Sequence, residues 1–177
     1  MEIRGTTIVA VKKDGKTVVA GDGQVTMGES VILKGTAKKV RRLYNDSVVV
    51  GFAGSTAEAF TLCEKFESAL NKYSGSLMRS AVEIARNLRE QPNSGKIGAL
   101  MIVANKDQLL ILTDIGDVVE PDDGVCAIGS GGNYALSAAK VLVKNTDLPA
   151  REIALKAMEV ASDLCVFTNK NFVLEEV

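Results

Sequence analysis

The sequence predicts an α+β fold built as a four-layer αββα sandwich, with two β-sheets face to face and a helix pair outside each. Three observations carry this reading. Apolar β-branched runs come in groups, so the regular strand–helix–strand rhythm of a doubly wound parallel sheet is missing. Helical segments come in two pairs, giving the order sheet, helix pair, sheet, helix pair, last strand. The length, 177 residues, fits one domain with a sizeable core.

In chain order, Thr6 to Lys12 and Lys16 to Gly21 are β-branched segments joined by Lys13-Asp14-Gly15, a hairpin signal. Gly21-Asp22-Gly23 ends the second strand and sets a carboxylate between two permissive residues. Val31 to Lys34 and Ala37 to Leu43 read as further strands, the second carrying Lys38, Lys39, Arg41 and Arg42. Ser47 to Phe52 is a buried strand. At Ser55-Thr56-Ala57-Glu58 the pattern becomes a capping box, followed by Ala59, Leu62, Cys63, Phe66 and Leu70 at helical spacing. A second helix is expected from Leu77 to Arg89, capped by Ser76 and stopped near Pro92, with a polar loop beyond it. Strands return at Ala99–Ala104, Gln108–Thr113, Val118-Val119 and Val125–Ile128. Gly129-Ser130-Gly131-Gly132 leads into a third helix, Tyr134 to Lys144. Pro149 suits the first position of a fourth, which reaches Leu164. Asn171 to Glu175 closes a sheet edge.

Composition narrows the chemistry. There is no histidine, which excludes a Ser-His-Asp triad, a Cys-His pair and a His-x-x-x-His zinc site within this chain. A hydroxyl nucleophile here needs a lysine or an α-amine as its base. The net charge of −1 gives no general reason to expect nucleic acid or an acidic membrane surface as partner. No apolar run approaches the roughly 18–20 residues of a membrane span, and the first five residues hold no apolar signal region. Cys63, Cys126 and Cys165 form no Cys-x-x-Cys pair and read as buried thiols of a cytosolic protein.

Thr6 follows a short polar lead-in that ends in Gly5. Cleavage of the Gly5–Thr6 bond would leave a hydroxyl and a free α-amine on one residue, and an amine of pKa about 8 can take the hydroxyl proton at neutral pH. Gly5 lets the chain bend so that the Thr6 hydroxyl can reach the preceding carbonyl, a geometry for self-cleavage, although removal by another protease stays open. The plain alternative is a strand residue. Lys39 is either one of a solvated basic cluster or an ammonium that stabilises the Thr6 alkoxide. Strand alternation would send Lys38 and Lys39 to opposite faces, so only one can point at the site. Asp22 could pair with the inward lysine, or be a turn residue. Gly54 precedes a helix whose first N–H groups are unsatisfied, a suitable oxyanion site or simply a strand-to-helix turn. The run at Gly129–Gly132 lacks the Gly-Lys-Ser/Thr ending of a phosphate loop, so Ser130 reads better as a hydrogen-bond partner of the Thr6 amine than as part of a nucleotide site.

In this order, Thr6-Thr7-Ile8-Val9-Ala10-Val11, Gly21-Asp22-Gly23-Gln24-Val25-Thr26, Lys38-Lys39-Val40-Arg41-Arg42-Leu43, Gly51-Phe52-Ala53-Gly54, Ala57-Glu58-Ala59-Phe60-Thr61-Leu62 and Ile128-Gly129-Ser130-Gly131-Gly132 resemble the HslV (ClpQ) family. These are the proteasome-β-like peptidase subunits of a bacterial two-component ATP-dependent protease. The resemblance covers nearly the whole chain after Gly5. It implies an N-terminal-nucleophile threonine endopeptidase, with residues 1–5 as a lead-in that is lost and 6–177 as the peptidase domain. Position by position, it implies Thr6 as nucleophile, Lys39 tuning its pKa, Asp22 holding Lys39, Ser130 contacting the amine and the Gly54 amide binding the oxyanion. It further implies a sodium ion held by the backbone carbonyls of Ser162, Cys165 and Thr168; Ser162 stands where glycine is usual, and a carbonyl ligand tolerates that change. The implied assembly is a dodecamer of two stacked hexameric rings in the cytoplasm. It would be allosterically activated by an HslU-type AAA+ ATPase that feeds unfolded proteins, with no nucleotide in this chain and no nucleic acid or membrane partner. Residues 88–99 depart from the family by being less charged and broken by Pro92 and Gly95, which bears on contacts to the ATPase and not on the catalytic positions. Two other readings stay open: a non-catalytic ring subunit that retains its lead-in, and an N-terminal-nucleophile amidase acting on small molecules.

Overall fold

The structure, a computed structural model, describes residues 3–28, 30–54, 56–90 and 100–177. Two antiparallel sheets form its centre. The first orders β11 (Val125–Gly129), β2 (Thr7–Lys13), β3 (Lys16–Gly21) and β12 (Val173–Glu176). The second orders β10 (Val118–Val119), β9 (Leu109–Leu112), β8 (Leu100–Ala104), β7 (Val48–Ala53) and β6 (Val40–Leu43). Helices α1 (Thr56–Lys72) and α2 (Leu77–Glu90) cover the second sheet, and α3 (Gly132–Asn145) and α4 (Ala150–Leu164) cover the first. A small third sheet orders β1 (Ile3–Arg4), β4 (Val25–Met27) and β5 (Val31–Lys34).

The continuous apolar strands follow from this layering, because a central strand is buried on both faces. In β2, Ile8 and Ala10 enter the core between the sheets while Val9 and Val11 pack under α3 and α4. In β7 and β8, Val49 and Ile102 face the other sheet, whereas Val50, Phe52, Met101 and Val103 face α1 and α2. Each fully buried branched side chain of this kind contributes about 1.5–3 kcal/mol. The β2–β3 hairpin turns through Asp14 and Gly15 alone, both with positive φ (53° and 77°), which matches the right-handed strand twist.

Several predicted boundaries move. The strand expected over Ala37–Leu43 begins only at Val40, because the preceding residues turn inward to deliver Lys39. Helix α3 starts two residues earlier than the apolar spacing indicated, and Pro149 is the N-cap of α4 with extended backbone instead of its first helical residue. Strands β1 and β4 were not expected, since two or three residues are too few to carry a periodicity. The proposed capping box at Ser55, the stop at Pro92 and most of the divergent 88–99 segment lie outside the described residues.

Thr17 is completely buried at the start of the β3 ladder, and its hydroxyl has no hydrogen-bond partner among the described residues. Valine keeps the shape and removes the desolvated oxygen, so Thr17→Val is expected to raise stability by about 1 kcal/mol, or roughly 2–4 °C in melting temperature. A lower melting temperature would mean that the hydroxyl has a partner in solution.

Candidate active site

The first sheet ends at Gly21, and the next residue, Asp22, is fully buried. A carboxylate there must be matched by donors, and it is. Its Oδ1 accepts from the Thr7 amide at 2.8 Å and from Lys39 Nζ at 2.8 Å. Its Oδ2 accepts from the Gln24 amide at 2.8 Å and the Asn169 amide at 3.4 Å. An ammonium has three donors. Lys39 spends them on Asp22, on the Gln24 carbonyl at 2.5 Å and on the Gly5 carbonyl at 2.9 Å. Lys39 is 7% exposed, whereas Lys38 is exposed, so the expectation that one lysine points inward holds, although irregular backbone and not strand alternation achieves it. Burial lowers the Lys39 pKa below its ordinary 10.5, and Asp22 opposes the shift through its charge and hydrogen bond.

Thr6 sits at the mouth of the same cluster. Its hydroxyl donates to the Gly5 carbonyl at 2.5 Å, so the Thr6 hydroxyl and the Lys39 ammonium converge on one oxygen. The Thr6 carbonyl accepts the Ser130 amide at 2.7 Å. Ser130 thus reaches Thr6 through its backbone while the residue itself is exposed. The glycines around it are needed for close approach. A Cβ at Gly129, where φ is +90°, would lie 2.2 Å from the Thr6 carbonyl oxygen, and one at Gly131 would lie 2.3 Å from the Thr7 hydroxyl. This glycine run is therefore shaped by Thr6 and Thr7, not by a phosphate.

Thr7 fixes its neighbour from behind. Its hydroxyl accepts the Gly131 amide at 3.0 Å and pairs with the Thr168 hydroxyl at 2.7 Å. The stretch after α4 is thereby drawn against the site, and the Gln24 side chain adds a bond to the Val166 carbonyl at 2.9 Å. Within this stretch the Ala161 carbonyl accepts the Cys165 amide and the Cys165 carbonyl accepts the Thr168 amide. The residues expected to supply carbonyl ligands, Ser162, Cys165 and Thr168, thus span the last helical turn and the turn that follows it.

Thr6, Lys39 and Gly54 line a cavity of about 530 Å³, together with Arg41, Phe52 and Phe60. Arg41 lies 4.1 Å from the Phe60 ring centre, a cation–π contact that stiffens the wall. Gly54 lies at the end of β7 with φ +136° and is exposed to the cavity mouth. Cys63 and Cys126 are not competitive nucleophiles. Burial pushes the Cys63 and Cys126 thiols up to about 12, far from the thiolate a nucleophile needs.

The fold therefore gathers Thr6, Asp22, Lys39, Gly54 and the Ser130 backbone at one place. Gln24, Thr7 and Asn169 belong to the same network and were not singled out from the sequence. An amide or hydroxyl side chain has no signal until its partner is known, and the Asn169 partners Gly23 and Gly35 lie well over a hundred positions away.

The family model described as Proteasome subunit matches residues 3–177. The chain is 58% identical to the ATP-dependent protease subunit HslV of Enterococcus faecalis, over 99% of this chain and 98% of that protein. It is 55% identical to the subunit of the same name from Listeria innocua, over the full length of both. Among solved structures, the eukaryotic HslV of Trypanosoma brucei superposes with a TM-score of 0.91 at 41% identity, covering 96% of this chain and 98% of that one. The Thiobacillus denitrificans protein BPH shares the fold, with a TM-score of 0.72 at 19% identity over 97% of each chain.

Proposed function

This chain belongs to the proteasome-subunit family, on its HslV branch, and from that premise we propose that it is the threonine endopeptidase subunit of an ATP-dependent protease. The observation that carries the reading is the convergence of the Thr6 hydroxyl and the Lys39 ammonium on the Gly5 carbonyl oxygen, with Asp22 fixing the ammonium. In the uncut chain this is a self-cleavage geometry: a hydroxyl beside a carbonyl polarised by a buried cation. Loss of residues 1–5 frees one Lys39 donor and gives Thr6 an α-amine. The amine takes the hydroxyl proton, the oxygen attacks a substrate carbonyl, and the acyl-enzyme is released by water activated by the same amine. The Gly54 amide receives the oxyanion, and Ser130 contacts the amine.

The lead-in also marks where substrate lies. Strand β1 pairs antiparallel with β4, Arg4 opposite Thr26 and Ile3 opposite Met27. Removing it opens that edge to an extended peptide, the ordinary mode of strand addition. Such a requirement for extended chain fits unfolded protein substrates delivered by an HslU-type AAA+ ATPase. The assembly is taken to be two stacked hexameric rings. A cytoplasmic setting accords with three unpaired, buried cysteines, and no described helix is long and apolar enough to cross a membrane. The main-chain oxygens of Ser162, Cys165 and Thr168 would hold a sodium ion. Hard carbonyl donors at a helix C-terminus suit a cation, whose charge would brace the stretch behind Thr7.

The direct test is the intact mass and N-terminal sequence of the purified protein. A chain beginning at Thr6 is expected, and a chain retaining Met1 in an assembled, inactive ring would favour the non-catalytic alternative. Gly5→Val should slow removal of the lead-in at least about tenfold. At φ +116° a β-branched residue is strained, and its Cβ would lie 3.1 Å from both the Gln24 carbonyl oxygen and the Thr26 hydroxyl. Processing at the normal rate in that variant would point to another protease.

The pH profile has a defined sign. Catalysis uses Lys39 charged, and its pKa is lowered by burial, so kcat/KM should begin to fall below pH 10.5, earlier than for a solvated lysine. Stability responds oppositely. Between the folded pKa and 10.5 the unfolded chain binds more protons, so this group's contribution to stability rises with pH in that window. An alkaline activity loss that tracks unfolding would argue against Lys39 as its origin.

A further inference from the structure

Asn169 bridges the two segments whose relative position sets the Asp22–Lys39 pair. Its Oδ1 accepts the Gly23 amide at 3.1 Å, next to Asp22, and the Asn171 amide at 3.1 Å. Its Nδ2 donates to the Gly35 carbonyl at 2.8 Å, on the segment that leads into Lys39. Its own amide points at Asp22 Oδ2 at 3.4 Å. The orientation of the side-chain amide is determined by these partners, because two N–H donors face one end and a carbonyl faces the other. Besides this bridge, the Ala37 amide donates to the Gly23 carbonyl at 2.9 Å. Asn171 contacts Gly35 as well, with Nδ2 2.7 Å from the same carbonyl, but has no bond to the Asp22 loop among the described residues.

We propose that Asn169 is a positioning residue for the reaction at Thr6. By tying Gly23 to Gly35 it holds the carboxylate loop and the lysine segment in the register that presents the Lys39 ammonium to the reacting oxygen. The bridge comes from the loop after α4, a third element that neither Asp22 nor Lys39 belongs to. Its side chain touches no reacting atom, so its effect is transmitted through Lys39. The inference rests on the threonine-peptidase reading.

The experiment compares Asn169→Ala, Asn169→Asp and Asn171→Ala in the assembled complex with its ATPase. Each is assayed for peptide kcat and KM, for the rate of Thr6 labelling by an acylating inhibitor, and for melting temperature. Labelling of the unsubstituted protein at Thr6 establishes the underlying reading independently. Asn169→Ala should lower kcat and the labelling rate by about tenfold or more with KM within about twofold, as expected for a displaced catalytic group. Asn169→Asp keeps the acceptor for Gly23 but sets an oxygen against the Gly35 carbonyl, so it should lose activity as well while still folding. Asn171→Ala should stay within about twofold, since it leaves the bridge intact. Unchanged kcat in both Asn169 variants, equal losses in Asn169→Ala and Asn171→Ala, or a rise in KM alone would overturn the proposal. If Asn169→Ala fails to fold, the kcat of Asn169→Asp decides.

Discussion

Thr6→Ala is expected to reduce peptide hydrolysis at least about 10³-fold and to abolish covalent labelling by acylating inhibitors, because it removes the oxygen proposed to attack. The fold should survive. The hydroxyl's hydrogen bond is to the adjacent Gly5 carbonyl, and the backbone bond from Ser130 to the Thr6 carbonyl is retained. Melting temperature and oligomeric state should therefore be close to those of the unsubstituted protein. If the lead-in is removed by self-cleavage, the variant should also keep residues 1–5, which intact mass reads directly. Thr6→Ser restores a hydroxyl and should recover both processing and part of the activity. Hydrolysis that persists in purified Thr6→Ala would place the nucleophile elsewhere.

Asp22→Ala should be the most destabilising single change at the site, and it acts on the chemistry as well. It strips the buried Lys39 ammonium of its carboxylate and leaves the Thr7, Gln24 and Asn169 amides without their acceptor. Breaking a buried ion pair from one side costs about 3–5 kcal/mol. With the attraction of Asp22 gone, burial alone acts on Lys39 and its pKa falls further, so more of it is neutral at pH 7. A loss in kcat/KM of roughly 10²–10³-fold is expected, with the residual activity shifted to lower pH. Asp22→Asn keeps the shape and one acceptor, and serves as the folded comparison. A near-normal alkaline limb in Asp22→Asn would mean that the pair is structural and does not set the charge on Lys39.

Much of the site was legible because its groups have distinctive chemistry. A threonine after a glycine-ended lead-in, a lone carboxylate between glycines and a basic cluster in a chain without histidine leave few ways to build a nucleophile. The layer order was legible too, since β2, β7 and β8 are apolar on both faces and the helices are not. What stayed hidden was short or polar. Strands β1 and β4 are too brief for periodicity, the inward turn before Val40 was taken for strand, and Asn169 looked like any loop amide.

The residue types and their order thus determined by themselves the fold class and, through the family resemblance they carry, the candidates Thr6, Asp22 and Lys39, because burial patterns and rare chemistries are properties of the local chain. Only the tertiary structure decided how those groups meet. Asp22 and Lys39 pair across two segments, the Ser130 amide donates to the Thr6 carbonyl, and the loop after α4 closes behind Thr7. These are long-range hydrogen bonds between groups that every sequence contains in abundance. Their partners are chosen by which backbones the packed sheets bring within 3 Å of one another, and that choice is not written in any local stretch.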